Sequence, residues 1–375
     1  MGSFSSTRSR GQGIEHFCRN DTPSRSCSRT GFKRSDRKQS VKYKKILTNK
    51  VTNLRNSLKN VRIQTTSFSD FIVVGYLGGG AFGQVLKVQH KISRVSYALK
   101  VQSKEHIIKS RNQLERLMNE KHILAATDYV FIVRLFSTFK DNACVYLVLE
   151  LVPCGDFFDL KEKYRHFNED MTRFYSGQVL LSFEYLHAGG IIYRDLKPEN
   201  LLVAADGYLK LTDFGYAKPL KNVTYTFCGT PEYMAPEVFT KRGYTQSVDY
   251  WTLGILLYEI LYQTTPFYAR STEAIYDRIQ NETAVFPLDS RVTTDAHCVI
   301  TRLLQKDLTK RLGVLRNGAD DVKDHPWFSG MNWMALYERR YPAPLEPAMY
   351  SPKSFDLKKL PHSPVVLYEQ EFKKF

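Results

Sequence analysis

The pattern of apolar and polar positions changes character three times along the chain. Residues 1–40 are rich in Ser and Arg and poor in large aliphatic side chains. That pattern predicts a basic disordered tail. From Val41 apolar residues become periodic. Leu47, Val51, Leu54 and Leu58 recur at spacings of four, three and four, which is one face of a helix. The stripe predicts an N-terminal docking helix and linker over 41–66. A helix lying on a membrane surface is the other reading of the same face. After Phe71 the period shortens. Gln84 to Gln89 and Val95 to Val101 read as strands rich in β-branched and apolar residues. Arg111 to Leu124 is charged and amphipathic and reads as a helix.

Composition sharpens this picture. The 375 residues exceed the usual size of one core, so two lobes are expected. The 43% hydrophobic and 13% aromatic content excludes a wholly disordered chain. No uncharged apolar run approaches the roughly 20 residues that span a bilayer. The start has no apolar leader, so no secretory signal is expected. Six cysteines without a CxxC pair predict reduced thiols, hence a cytoplasmic and partly nuclear location.

The net charge of +16 would suggest nucleic acid as a partner. However, residues 1–60 hold 15 Lys and Arg against three acids, which leaves the body nearly balanced. With no base-reading motif, no specific nucleic acid is expected. The start Met1-Gly2-Ser3-Phe4-Ser5-Ser6 fits the N-myristoylation pattern. A myristoyl group on Gly2 plus the basic tail would give reversible membrane association.

The chemistry begins at Leu77. Gly78, Gly80 and Gly83 form G-x-G-x-x-G, but a strand follows instead of the helix a dinucleotide fold needs. The glycines therefore sit at a hairpin tip, where backbone N–H groups can approach phosphate oxygens. Lys100 on the next strand stands at the spacing of the protein-kinase signature. Further on the chain reads Tyr193-Arg194-Asp195-Leu196-Lys197-Pro198-Glu199-Asn200, then Asp213-Phe214-Gly215, then Ala235-Pro236-Glu237. In this order the stretches are highly specific. Asp195 can accept the proton of a Ser or Thr hydroxyl, and Lys197 can steady the γ-phosphate of ATP. Asn200 and Asp213 offer the hard oxygens that Mg²⁺ prefers, with two ions expected. Every role is filled, so an enzyme is preferred to a non-enzymatic kinase-like scaffold.

The chain resembles serine/threonine protein kinases of the AGC group, most closely the catalytic subunits of cAMP-dependent protein kinase. The stretches that carry the resemblance are Tyr193 to Leu202, TFCGTPEYMAPE from Thr226, DLTKRLG from Asp307 and HPWF from His325. It implies an α+β bilobal kinase fold: a small antiparallel lobe with one main helix over 71–151, and a mainly helical lobe over 152–328. An AGC-type tail over 329–375 would end in the aromatic pair Phe372 and Phe375.

The resemblance pairs Glu120 with Lys100. It places Leu77, Gly78, Gly79, Gly80, Ala81, Phe82 and Gly83 over the phosphates. Adenine would lie between Val85 and Ala98 above and Leu202 below. Leu149 would be the gatekeeper, Glu150 and Val152 the hinge, and Thr212 a further neighbour. Asp249 and the Glu237–Arg311 pair would brace the large lobe. Thr226 would be the activation phosphosite, met by Arg194, Lys218 and Arg116. Asp156, Glu199, Glu232 and Glu259 would receive arginines of a basic protein substrate, with Asp156 also near the ribose. Phe227, Pro231 and Met234 would form the apolar site after the target residue.

Three positions depart from the pattern. Asp156 replaces a glutamate, Tyr225 replaces a tryptophan, and the tail's acidic patch is reduced to Ser354-Phe355-Asp356-Leu357-Lys358. Tyr276 and Arg242 still match positions that dock a cAMP-binding regulatory subunit, the expected partner.

Overall fold

The structure is a computed structural model that describes residues 34–61, 63–80, 83–110, 112–220, 222–287 and 291–375. Gly2 and the tail before residue 34 lie outside the described residues, as do Ala81 and Phe82.

The first helix, α1, runs Arg34–Lys59. It starts seven residues before the apolar stripe, so residues 34–40 belong to the helix and not to the tail assigned to them from composition. They contain no Gly or Pro, and extending an existing helix costs far less than nucleating one. Tyr43, Val51 and Leu54 are buried against the body. The outward lysines are tied down as well. Lys42 pairs with Glu338 at 3.0 Å and Lys44 with Asp320 at 2.8 Å. A Cβ at Gly189 would come within 2.4 Å of Leu54, so the glycine is what lets the helix seat. The helix docks on the body with the face that periodicity selected.

The small lobe is one antiparallel sheet of five strands, β1 Phe71–Gly80, β2 Gly83–His90, β3 Ser96–Ser103, β4 Leu135–Lys140 and β5 Cys144–Glu150, in the order β1-β2-β3-β5-β4. Helices α2 Lys104–Lys109 and α3 Gln113–Ala126 connect β3 to the rest of the lobe. Strand alternation sets the site. Leu99 and Val101 fill one face of the sheet together with Leu86, Val88 and Val148. Ala98 and Lys100 therefore face the opposite side, toward α3 and the cleft.

The large lobe begins with α4 Phe157–Tyr164 and α5 Glu169–Ala188. Two short antiparallel pairs follow, β6 Ile191–Ile192 with β9 Lys218–Pro219 and β7 Leu201–Val203 with β8 Leu209–Leu211. Helices α6 Ser247–Tyr262, α7 Thr272–Asn281, α8 Thr294–Leu303, α9 Ala319–Lys323 and α10 Trp333–Tyr337 complete it. Helix α6 is buried from Ser247 to Ile260, as expected of a helix apolar on every side. Among the described residues no helix is long and apolar enough to cross a membrane.

The C-terminal segment returns to the small lobe. Phe372 is fully buried, and the Lys121 ammonium lies 4.4 Å over the Phe375 ring. Burial, with Lys140 nearby, pushes Lys121 down to about 8.

Candidate active site

Between the lobes lies a cleft of about 400 Å³, within the usual range of a small-molecule site. Every described residue assigned to the nucleotide lines it: Leu77, Gly78, Gly79, Gly80 and Gly83 from the hairpin, Val85, Ala98 and Lys100 from the sheet, Leu149 and Glu150 from the end of β5, Val152 and Asp156 from the interlobe segment that follows it, and Leu202 and Thr212 from the floor. Gly83 has φ +139, and a Cβ there would meet the Val101 carbonyl at 2.1 Å. Only glycine fits that turn.

At the inner end Lys100 donates to Glu120 at 2.7 Å and to Asp213 at 3.2 Å. Burial works against the ammonium, but the two carboxylates outweigh it and hold the lysine above its ordinary value. Burial would also raise Asp213. Lys100 overrides it and keeps that carboxyl below the usual range, hence ionised. Asp213 has φ +51 and Arg194 φ +74. Each non-glycine residue in that region costs on the order of 1–3 kcal/mol, so the surroundings must enforce it. For Arg194 the enforcement is visible. The buried Asp249 accepts the Tyr193 N–H at 3.0 Å and the Arg194 N–H at 2.8 Å, and its Oδ2 is 2.7 Å from His187.

Asp195 is buried below the cleft. Asn200 donates to its carbonyl at 2.7 Å and to its carboxylate at 2.8 Å, Thr230 donates at 3.2 Å, and Lys197 stands 3.6 Å away. Burial pushes Asp195 up to about 6; Lys197 pulls it down and Asp213 adds to the rise. Thr230 was not foreseen from the sequence. Its place in GTPEY, next to the substrate loop, was the available signal.

The residues assigned to Mg²⁺ fit the ion. Asn200 directs its amide nitrogen at Asp195, leaving its oxygen for a ligand, and Asp213 is held ionised. Among the described residues no cluster of three or more His, Cys, Asp or Glu could hold a metal alone. Two protein oxygens suit an ion that shares its coordination with phosphates and water.

The substrate residues are brought together unequally. Asp156 and Glu199 line the cleft, and Glu232 accepts from Thr265 at 2.6 Å. Glu259 is buried; Lys161 stands 3.2 Å from one oxygen and the Tyr233 hydroxyl donates to the other. Phe227 is 56% exposed and meets Tyr276 edge-on at 5.9 Å. Pro231 is half-buried. Met234 is only 3% exposed, turned into the loop's own core beside Arg194 and Gly229, so it offers almost no surface to a peptide. Thr226 borders an open depression with Arg116, Lys218 and Asn112. Arg194 reaches the same loop through the Tyr216 carbonyl at 2.7 Å and the Tyr244 hydroxyl at 3.2 Å.

Two residues at the cleft mouth escaped the sequence reading. Met349 and Tyr350 of the C-terminal segment line it, anchored by a 2.8 Å bond from the Tyr350 N–H to the Pro153 carbonyl.

A lysine held by a helix carboxylate, a buried aspartate among Asn, Thr and Lys, and an apolar cleft under a glycine hairpin define a phosphotransferase of the protein kinase fold. The protein kinase domain family model matches residues 71–328, and the chain belongs to that family. It is 42% identical over 281 residues to the yeast cAMP-dependent protein kinase type 3, covering 75% of this chain and 70% of the relative. It is 41% identical over 283 residues to the human cAMP-dependent protein kinase catalytic subunit PRKX, covering 75% and 78%. The mouse cGMP-dependent protein kinase 2 is 42% identical over 297 residues, covering 78% of this chain but 39% of the relative. This is a serine/threonine protein kinase of the cAMP-dependent catalytic type.

Proposed function

We propose that this kinase transfers the γ-phosphoryl group of ATP to Ser or Thr residues preceded by arginine, under the control of a cAMP-binding regulatory subunit. The observation that carries the substrate reading is the acidic mouth of the cleft. Asp156 and Glu199 line it, and Glu232 stands on the loop that would face the peptide. Carboxylates suit guanidinium groups because the pairing can be bidentate.

The mechanism follows from positions. The glycine hairpin covers the phosphates with backbone N–H groups, and Lys100, fixed by Glu120, holds the α- and β-phosphates. Mg²⁺ held at Asn200 and Asp213 would supply charge neutralisation on the phosphates. Asp195 orients the substrate hydroxyl and takes its proton, while Lys197 neutralises the γ-phosphate. Most of the rate then comes from positioning and electrostatics. Phosphate on Thr226 would order its loop by pairing with Arg194, Arg116 and Lys218. Exposed Arg242 and the half-buried Tyr276 offer a docking surface for the regulatory subunit. A myristoyl group on Gly2 and the basic tail would tether the cytoplasmic enzyme reversibly to acidic membranes.

The test is steady-state phosphorylation of an Arg-Arg-Ala-Ser-Val peptide against Ala-Ala-Ala-Ser-Val. The expected result is a kcat/KM advantage of at least about 10-fold for arginine, since hydrogen bonds to charged groups contribute roughly 1.5–3 kcal/mol each. Adding a cAMP-binding regulatory subunit should inhibit, and cAMP should restore activity. Equal rates on both peptides would remove the basic preference.

A pH dependence follows as well. The base must be ionised, so kcat/KM should fall as pH drops through about 6, the value to which burial raises Asp195. Lys197→Ala removes the cation that opposes the rise, so the acidic limb should move to higher pH. The stability effect has the opposite sense. The folded value lies above the ordinary 3.8, so the contribution of Asp195 to stability declines as pH rises from about 4 to about 6. A pH–rate profile of both proteins checks this.

A further inference from the structure

We propose that Ser351 is a phosphorylation site for a proline-directed serine/threonine kinase, and that Lys87 receives the phosphate and so fastens the C-terminal segment across the mouth of the cleft. The inference rests on the reading of that cleft as a nucleotide site and adds a control over nucleotide release.

Among the described residues two lysines line the cleft. Lys100 is committed to Glu120 and Asp213. Lys87 is half-buried, and among the described residues no acceptor pairs with its ammonium. A partly desolvated cation gains from an anion beside it. Nucleotide phosphates do not supply one. Lys87 stands opposite Ala98 and Val85 opposite Lys100, so Lys87 lies two residues, about 7 Å, nearer the hinge than the phosphate end.

The C-terminal segment passes this lysine. The Tyr350 N–H donates to the Pro153 carbonyl at 2.8 Å, and Lys353 and Tyr76 exchange backbone bonds of 2.9 and 2.7 Å. Ser351 and Pro352 therefore span from the hinge to β1. Gly75 stands opposite Lys87 in the β1–β2 register, and a Cβ on it would lie 3.0 Å from the Pro352 Cβ. Opposed residues have Cβ atoms about 4.5–5.5 Å apart, which makes Lys87 and Pro352 close neighbours under the sheet. Ser351 directly precedes that proline. It is exposed, and among the described residues its hydroxyl has no hydrogen-bond partner. The proline biases Ser351 toward extended backbone and removes an N–H, which is what proline-directed kinases select.

In the modification, the Ser351 hydroxyl oxygen bonds to the γ-phosphorus of the modifying kinase's ATP. The bond to the β–γ bridging oxygen breaks, ADP leaves, and the hydroxyl proton passes to that kinase's base. The phosphate brings a charge of roughly −2. Asp156 and Glu199 also line the cleft and repel it, which leaves Lys87 on the roof as its partner. Lys353 belongs to the same segment, so pairing with it would fasten nothing. Met349 and Tyr350 line the mouth, and tying their segment to the roof narrows the path by which nucleotide leaves.

The experiment has two readouts on the full chain. The Asp195→Asn protein, whose own activity adds nothing, is incubated with a purified proline-directed kinase and Mg-ATP and mapped by mass spectrometry. Phosphate on Ser351 is expected. Release of the fluorescent nucleotide mant-ADP is then followed by stopped flow with serine or genetically encoded phosphoserine at position 351, in the wild type and in Lys87→Met. Each phosphorylated protein is compared with its own unmodified form. Phosphate should slow release by about 3- to 10-fold in the wild type, the effect of one charge-assisted bond partly screened by solvent. In Lys87→Met the change should be less than about 2-fold, since only unspecific charge effects remain.

Ser363 also precedes a proline, and phosphate found there but not on Ser351 would overturn the site. Equal release rates with serine and phosphoserine in the wild type would overturn the fastening. Slowing that persists in Lys87→Met would overturn Lys87 as the receiver. If the unmodified wild type binds no mant-ADP, the nucleotide reading itself falls and the inference with it, a different result from unchanged release.

Discussion

Asp195→Asn is expected to lower kcat by about 10²–10⁴ while leaving ATP binding and the fold intact, the range that a positioned general base contributes. The substitution keeps the size of the side chain and removes its charge and basicity. It sits apart from the nucleotide residues, which line the cleft above it. The hydrogen-bond frame of Asn200 and Thr230 belongs to neighbouring residues and survives in part. Burial raises the carboxyl of Asp195, so the native charge is a local cost to the fold. The variant should therefore melt at or above the wild-type temperature. Single-turnover kinetics, an ATP-binding measurement and a melting curve check the three parts. A variant that retains wild-type kcat would show that Asp195 is not the base.

Much of this site could be read before any coordinates, because its chemistry is carried by short runs. Asp195, Lys197 and Asn200 fall within six residues, and the glycine hairpin within seven. Local backbone geometry alone brings such residues together. The Lys100–Glu120 pair spans strand and helix, and a family resemblance was needed to choose Glu120 over Glu115. Glu115 turns outward and stands 3.6 Å from Lys218.

What escaped depends on distant parts of the chain. Met349 and Tyr350 reach the cleft only because the C-terminal segment follows the surface. The close approach of the Lys353 carbonyl to Gly75, which leaves no room for a Cβ, fixes that path. Lys161 on an amphipathic helix reads as a solvated charge, since nothing nearby in sequence announces Glu259. Met234 shows how the tertiary path limits a side chain assigned by family position. The resemblance assigned it to the apolar site after the target residue, and here the fold turns its side chain into the loop's own core. Residue type tells what a side chain can do, and the tertiary path decides what it faces.

Arg311→Met should be the most destabilising single change in the large lobe, costing about 3–5 kcal/mol, the range for breaking a buried ion pair. Arg311 is fully buried and forks onto Glu237 at 2.6 and 2.9 Å. It also donates to the Gln305 carbonyl at 2.7 Å and the Ser247 carbonyl at 3.2 Å, and its guanidinium lies 5.1 Å from the centre of the Trp251 ring. Removing it strands the Glu237 carboxylate at 8% exposure with the Ser247 hydroxyl as its remaining donor. Tm should fall by on the order of 10 °C. The double variant Arg311→Met with Glu237→Gln should recover a large part of that loss, because the stranded charge is gone. A double-mutant cycle by urea unfolding separates this from lost packing, which would make the two changes additive. Function is coupled to the same pair. Glu237 lies four residues after Tyr233 in the segment that continues from Pro231, Glu232 and Tyr233, so loosening it should raise peptide KM more than it lowers ATP affinity. An Arg311→Met protein with unchanged Tm would show that the fork contributes nothing net to the fold.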